Sequence, residues 1–218
     1  MSQVLSGSGM TSQRTRSRMI ERLREKGIRN ERVLAALAAV PRHVFIEEAL
    51  ASRAYEDTAL PLGFSQTISQ PFIVARMIEV LLEGRELGKT LEIGAGCGYQ
   101  AAVLAQLTKE IYAVERIEPL LAKAKLNLRA IQQFRVRLKY ADGQLGLPEA
   151  APFDTIIVAA AASSVPPALL QQLALGGRML LPVGKGEQYL LLVEHRAEGF
   201  VETRLDGVRF VPLLSGLE

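Results

Sequence analysis

Three groups of residues in this 218-residue chain could do chemistry. One is a glycine turn, Leu91-Glu92-Ile93-Gly94-Ala95-Gly96-Cys97-Gly98-Tyr99-Gln100, where a short apolar run meets closely spaced glycines and then a helical stretch. Glycines let the backbone take positive φ and let a ligand approach the main chain. The helix start that follows brings free N–H groups and positive potential. A second group is acidic: Glu115 at the end of the next apolar run, and Asp142 followed by Gly143. An acid in the place of Glu115 can accept hydrogen bonds from both hydroxyls of a ribose. A third group is Ala59 to Pro71, which crowds the hydroxyls and amides of Thr67, Ser69 and Gln70 beside apolar residues such as Ile68. Nucleoside binding beside a polar cleft is the chemistry these types and spacings support.

A glycine turn alone does not choose among nucleoside ligands. Dinucleotide enzymes want Gly or Ala three residues after their second glycine, for close helix packing, and here that place is Tyr99. The spacing Gly94-x-Gly96-x-Gly98 is instead the pattern of S-adenosylmethionine binders. Glu115 serves either ligand; taken alone it is a solvated strand-end charge, but the glycine turn upstream favours the ribose role. Asp142-Gly143 follows the third strand, where methyltransferases place an acid against the adenine exocyclic amine and an N–H against the ring. Its bland alternative is an Asp-Gly turn.

These residues need a frame, and the pattern of elements supplies one. From Leu87 onward short apolar runs alternate with helical stretches. Strands are expected at 90–93, 110–115, 136–140, 153–158 and 178–183, helices at 99–107, near 117–131 and near 166–174, and a closing strand pair at 188–195 and 202–210. Alternation of this kind builds an α/β, doubly wound, mostly parallel sheet covered on both faces. In such a sheet the glycine turn lies at the carboxyl edge, where ligands bind. Upstream, Met19, Ile20 and Leu23 fall at helical spacing within 15–26. A second helix runs from Asn30 as N-cap to Pro41 as terminator. A short segment containing Phe45 follows, then a loop over 51–71, and a helix from Pro71 to Leu82. Residues 1–14 read as a flexible basic tail and 15–218 as a single domain, divided into a helical and substrate-loop portion (15–82) and a cofactor-binding α/β core (87–218).

Composition bounds the function classes. Hydrophobic residues make up 49% and charged residues 22%, ordinary for a globular protein rather than a disordered or fibrous one. No apolar run approaches the roughly 20 residues that span a bilayer, and the N-terminus lacks the apolar middle of a signal peptide. Cys97 is the only cysteine, which suits a reducing compartment, so a cytoplasmic protein with no membrane partner is expected. Flanked by glycines, Cys97 reads as a small loop residue rather than a nucleophile. His43 reads as structural and His195 as exposed on an outer strand; no metal site is expected from two His and one Cys so scattered. Asp154, opening the fourth strand, reads as an N–H cap. The net charge of +3 and pI near 9.1 could point to nucleic acid. Much of the excess, however, sits in Arg14, Arg16, Arg18, Arg22, Arg24 and Lys26, read as a solvated tail leading into an amphipathic helix.

At this point the sequence resembles the protein-L-isoaspartate O-methyltransferase family, over about residues 18–214. The resemblance is carried by Pro41-Arg42-x-x-Phe45, Leu60-Pro61, Gln66-Thr67-Ile68-Ser69-Gln70-Pro71, Leu91 to Gln100, Val114-Glu115-Arg116, Phe153-Asp154-x-Ile156-Ile157-Val158, Leu181-Pro182-Val183-Gly184 and Phe210-Val211-Pro212-Leu213. It implies a class I S-adenosylmethionine-dependent methyltransferase, with S-adenosyl-L-homocysteine as product, acting as a monomer on L-isoaspartyl and D-aspartyl residues of damaged proteins. The methyl ester then closes to a succinimide that opens partly to normal aspartate. Ser69 matches the family's active-site hydroxyl. Thr67, Ile68 and Gln70 would line the cleft, and Val211 and Leu213 would close over the isoaspartyl backbone. Glu92, Gly94, Ala95, Gly96, Gly98, Glu115, Asp142 and Gly143 would hold the cofactor. Two departures stand out: Ala159 to Ala162 run on without the proline many members carry there, and Phe64-Ser65 replaces a commonly smaller or His-containing pair. Among rivals, a nucleic-acid methyltransferase would carry an Asn/Asp-Pro-Pro-aromatic motif or a Cys after the fourth strand, whereas here alanines follow Val158. A small-molecule O-methyltransferase without a base stays open. A cofactor-binding protein without catalysis is opposed by the intact Thr67 to Pro71 segment.

Overall fold

A computed structural model describes residues 7–218. Helix α1 (Gln13–Glu25) buries Met19, Ile20 and Leu23, as their spacing predicts. A 3-10 turn, Gly9–Thr11, precedes it, held by reciprocal Ser8–Thr11 hydrogen bonds of 3.0 and 2.9 Å. Of residues 1–14, read as a flexible tail, 9–11 thus form a turn and 13–14 open the helix, while 1–6 lie outside the described residues. Helix α2 (Glu31–Ala39) starts where Asn30 Oδ1 accepts from the N–H groups of Arg32 and Val33, satisfying two donors that the first turn leaves unpaired.

The basic run is not uniformly solvated. Arg16 is 5% exposed; its Nε donates to the Tyr55 hydroxyl at 3.1 Å and its Nη1 to the Ala38 carbonyl at 3.1 Å. Arg22 donates to the Tyr55 carbonyl. The helix thus uses two of its cations as internal ties to residues 38–55, because a buried guanidinium must find acceptors. His43 is structural: its Nδ1 lies 2.8 Å from the same Tyr55 hydroxyl.

Residues 51–71 are more ordered than a loop. A 3-10 stretch (Glu48–Arg53) leads into an antiparallel hairpin of β1 (Leu60–Gly63) and β2 (Gln66–Ile68), pairing Leu60 with Ile68 and Gly63 with Gln66. The two connecting residues, Phe64 and Ser65, have φ of 52° and 54°. A two-residue hairpin turn of this hand usually calls for Asn-Gly or Asp-Gly, so Phe-Ser carries no turn signal. Helix α3 (Pro71–Leu82) follows, with Pro71 in its first turn.

The main sheet has the order β5-β4-β3-β6-β7-β8-β9. Its strands are β3 (Thr90–Ile93), β4 (Ile111–Glu115), β5 (Val136–Tyr140), β6 (Phe153–Val158), β7 (Leu173–Val183), β8 (Gln188–Arg196) and β9 (Gly199–Val208). The first five run parallel, and β7-β8-β9 form an antiparallel meander. Helices α4 (Tyr99–Leu104), α5 (Glu118–Ala130) and α6 (Pro167–Gln171) connect the parallel strands. Alternate residues enter different cores: Ile157 and Leu180 pack with α1–α3, whereas Ile156, Val158 and Leu181 pack on the opposite side. Every residue of β3 is buried, as expected of a strand covered on both faces.

Two edges differ from expectation. Helix α6 stops at Gln171 and β7 starts at Leu173. Leu173 pairs with Phe153 before a register shift; the irregularity falls between Leu173 and Arg178, a stretch that holds Gly176-Gly177, and one long strand stands where the sequence reads as a helix end and a short strand. His195 is half-buried rather than exposed: Nδ1 lies 2.8 Å from the Leu173 carbonyl and the ring stacks on Phe200 at 4.4 Å. Asp154 caps as expected, accepting from the Lys89 N–H at 2.7 Å. Among the described residues no helix is long and apolar enough to cross a membrane.

Candidate functional site

Strand order reverses at β3: the chain moves from β3 to β4 and β5 on one side and returns to β6 on the other. At such a switch point the turns after the two central strands part and leave a crevice at the carboxyl edge. A cavity of about 840 Å³, open to solvent, lies there. Its walls bring together Thr67, Ile68, Ser69, Glu92, Gly94, Ala95, Gly96, Glu115, Gly143, Val211 and Leu213, residues spread over 147 positions of sequence (67 to 213).

The glycine turn gives one wall. Gly94, Gly96 and Gly98 have φ of 85°, 53° and 87°, a region costly for side chains other than glycine. Four of its N–H groups are already engaged, however. Gly94 and Ala95 donate to the Val114 carbonyl at 2.9 and 3.0 Å, and Gly98 donates to the Ala95 carbonyl at 2.8 Å. Gly96 N–H donates to Glu115 Oε2 at 2.8 Å. What the turn offers is room: a Cβ at Gly96 would meet only Leu62 Cδ1, at 3.5 Å. Gly98 itself stands back from the cavity, where an added Cβ would lie 3.2 Å from the Ala124 Cβ on α5.

Glu115 is 6% exposed and is no solvated strand end. Besides Gly96 N–H, it accepts from the N–H groups of Arg116 and Ile117 at 2.8 and 3.0 Å through Oε1. One carboxylate therefore fixes both the glycine turn and the start of the next connection while its side chain lines the cavity. Glu92 is fully buried. Its Oε1 accepts from Gln100 Nε2 at 3.0 Å, and its Oε2 has no partner. Burial pushes this carboxyl well above the usual range, and the nearby Glu115 adds to the shift. A buried acid with an unmet oxygen on a cavity wall suits a cationic or hydrogen-bond-donating ligand group.

Asp142 does not reach the lining. Its Oδ1 accepts from Gln144 N–H at 2.8 Å and its Oδ2 from Gly216 N–H at 2.6 Å. It ties the C-terminal segment down beside Gly143, which does line the cavity. That segment forms the roof: Ala161 N–H donates to the Val211 carbonyl at 2.7 Å, and Leu213 N–H to the Ala161 carbonyl at 2.8 Å.

Ser69 follows β2 directly and is half-buried. It lies where the main cavity meets a smaller groove of about 370 Å³ that Gln70, Phe210 and Arg209 also line. Gln70 therefore belongs to the groove rather than to the cavity. Cys97 also lines the cavity, but burial pushes its thiol up to about 11, so it is a weak nucleophile at neutral pH. Tyr99 is buried and its phenol is pushed up to about 12, first by burial. The fully buried Arg42 guanidinium lies 4.8 Å from the Tyr99 ring centre. Sequence reasoning missed Leu62, Arg116, Ile117 and Ala160 on these walls; only their proximity to recognised motifs hints at them.

A family model described as protein-L-isoaspartate(D-aspartate) O-methyltransferase matches residues 14–218. A protein-L-isoaspartate O-methyltransferase of Dechloromonas aromatica is 79% identical over 216 residues, covering 99% of this chain and 100% of that one. One from Methylobacillus flagellatus is 62% identical over 219 residues, covering 99% and 98%. A solved structure described as protein-L-isoaspartate O-methyltransferase is similar with a TM-score of 0.83 and 27% identity, covering 93% of this chain and 67% of that one.

Proposed function

The chain belongs to the protein-L-isoaspartate(D-aspartate) O-methyltransferase family, and from that premise we propose that Ser69 orients the substrate carboxylate at the junction of cavity and groove. The enzyme methylates the free carboxylate of L-isoaspartyl residues in damaged proteins, using S-adenosylmethionine. The observation that carries the site assignment is this junction: Thr67, Ser69, Ala159 and Val211 line both spaces, so a ligand in one meets a ligand in the other beside the serine.

The residues present suit the cofactor. The side-chain-free wall at Gly94 and Gly96, the Glu115 carboxylate and the unmet Glu92 oxygen match a nucleoside joined to a cationic amino acid. When bound, S-adenosylmethionine supplies an electrophilic methyl group on a sulfonium. In this reading Glu115 takes the ribose hydroxyls and Glu92 faces the cationic end. Gly94, Ala95 and Gly96 leave the room, and Gly98 lets the turn pack on α5. Gly143 faces the adenine, with Asp142 fixing its loop.

No general base is needed, because a carboxylate with a reference pKa near ~4 is ionised at pH 7. What the chain must supply is alignment and a dry surrounding, since charge disperses as the methyl moves. A serine hydroxyl orients a carboxylate without holding its charge as tightly as a guanidinium would, so it does not overstabilise the ground state. Thr67, Ile68 and Gln70 shape the approach, and the backbone at Val211 and Leu213 covers the isoaspartyl main chain, in a mode that tolerates many flanking sequences. We place residues 15–218 in one methyltransferase domain, acting as a cytoplasmic monomer without a nucleic-acid partner. The shared core of α1–α3 with α4 and α5 supports the single domain.

Ser69→Ala tests the assignment. Steady-state kinetics should show turnover falling by about tenfold or more, as for loss of an orienting hydrogen bond. S-adenosylhomocysteine affinity, read by calorimetry, should stay within about twofold of the parent. Equal losses in both would assign Ser69 to the cofactor instead.

A further inference from the structure

The groove beside Ser69 has one charged side chain among its described walls, Arg209. Its neighbours are occupied: Arg76 pairs with Asp206 at 3.0 Å and with Glu79 at 3.5 Å, and Arg204 lies 4.1 Å from the Tyr189 ring centre. Arg209 is exposed and forms no ion pair among the described residues. Its base is nevertheless fixed. Beyond the end of β9 the Gln188 side-chain amide replaces a strand partner for the next residue, accepting from Phe210 N–H at 2.6 Å and donating to the Phe210 carbonyl at 3.1 Å. The Val211 carbonyl then accepts from Ala161. An unpaired cation thus stands on an anchored segment, along the groove that leads to the reacting serine.

We propose that Arg209 is a specificity-determining residue that reads the charge next to the isoaspartyl residue and favours substrates with Asp or Glu adjacent to it. An isoaspartyl residue within a chain has a single free carboxylate, and that group must lie at the methyl-transfer position. A partner for Arg209 therefore comes from a flanking side chain. The inference rests on the placement of Ser69 proposed above. The contact is solvent-exposed, so its effect is modest, about 1.5- to 5-fold in KM, and salt screens it.

The test uses three isoaspartyl peptides that differ only in the adjacent residue, Glu, Gln or Lys, with the full-length parent, Arg209→Gln and Arg209→Glu. The parent should show the lowest KM for the Glu peptide, a preference that fades at 0.5 M salt. Arg209→Gln should level the three, and Arg209→Glu should reverse the order, with kcat on the Gln peptide and S-adenosylhomocysteine affinity little changed. An unaltered order in Arg209→Glu, or an equal KM rise for all three peptides in Arg209→Gln, overturns the proposal. Methylation of none of the peptides by a parent that still binds S-adenosylhomocysteine is a different outcome, and it overturns the underlying site reading as well.

Discussion

Replacing Glu115 by Gln probes the cofactor wall with the least change of shape. The carboxylate accepts from three backbone N–H groups, two at Oε1 (2.8 and 3.0 Å) and one at Oε2 (2.8 Å). The amide keeps one oxygen, best used for the Arg116 and Ile117 donors, and sets an NH₂ group against Gly96 N–H. That donor loses its partner, which costs about 1–3 kcal/mol of stability when buried. The same amide can no longer accept from both ribose hydroxyls. Hydrogen bonds to a charged group are worth about 1.5–3 kcal/mol, so losing one should weaken S-adenosylhomocysteine by about 10- to 150-fold. Calorimetric titration of parent and Glu115→Gln with S-adenosylhomocysteine, adenosine and adenine measures this, beside a thermal melt that confirms folding. Adenosine should lose affinity with S-adenosylhomocysteine, and adenine should lose far less. A folded Glu115→Gln protein with unchanged S-adenosylhomocysteine affinity would refute the ribose role. Equal losses for adenine and adenosine would mean that the variant merely distorts the glycine turn.

Other consequences can be checked in parallel. Glu92 titrates above its ordinary 4.5 in the folded protein, so folding favours its protonated form, and stability from this group is present below about pH 4.5 and lost as pH rises toward its folded value. Glu92→Gln should therefore raise the Tm of the cofactor-free protein, with a gain that grows from pH 4.5 upward; a gain independent of pH would contradict the burial argument. Cys97, with its thiol near 11, should be thiolate to on the order of one part in a thousand at pH 8. Its alkylation by iodoacetamide should lag far behind that of free cysteine, and rapid labelling of the folded protein would show that the turn opens. Gln188→Ala removes both hydrogen bonds that hold Phe210 and should raise peptide KM several-fold while leaving S-adenosylhomocysteine affinity intact. A loss confined to the cofactor would break the link between that amide and the groove.

The sheet was legible because strands buried on both faces must be short apolar runs, as Thr90–Ile93 and Phe153–Val158 are, and because a glycine turn marks the carboxyl end of the first of them. Helix α2 was legible from a capping Asn30 and a terminating Pro41. The hairpin was not, since Phe64 and Ser65 adopt a turn conformation that their side chains do not advertise. Nor was the full length of β7, which runs from Leu173 through Gly176-Gly177 to Val183 as one strand. Within the site, Glu115 was found from its distance to the glycine turn, but its hold on Gly96 depends on how the two loops meet in space. The burial of Arg16 was also invisible: its acceptors, Tyr55 and Ala38, lie far along the chain. The retreat of Asp142 from the cavity depends likewise on Gly216, 74 residues away.

The most direct test of isoaspartate-specific repair is methyl transfer from labelled S-adenosylmethionine to two peptides identical except for isoaspartate or normal aspartate at one position. Label is expected on the isoaspartyl peptide alone, released by mild base as an ester would be. Equal labelling of both peptides, or of neither while S-adenosylhomocysteine still binds, would contradict it.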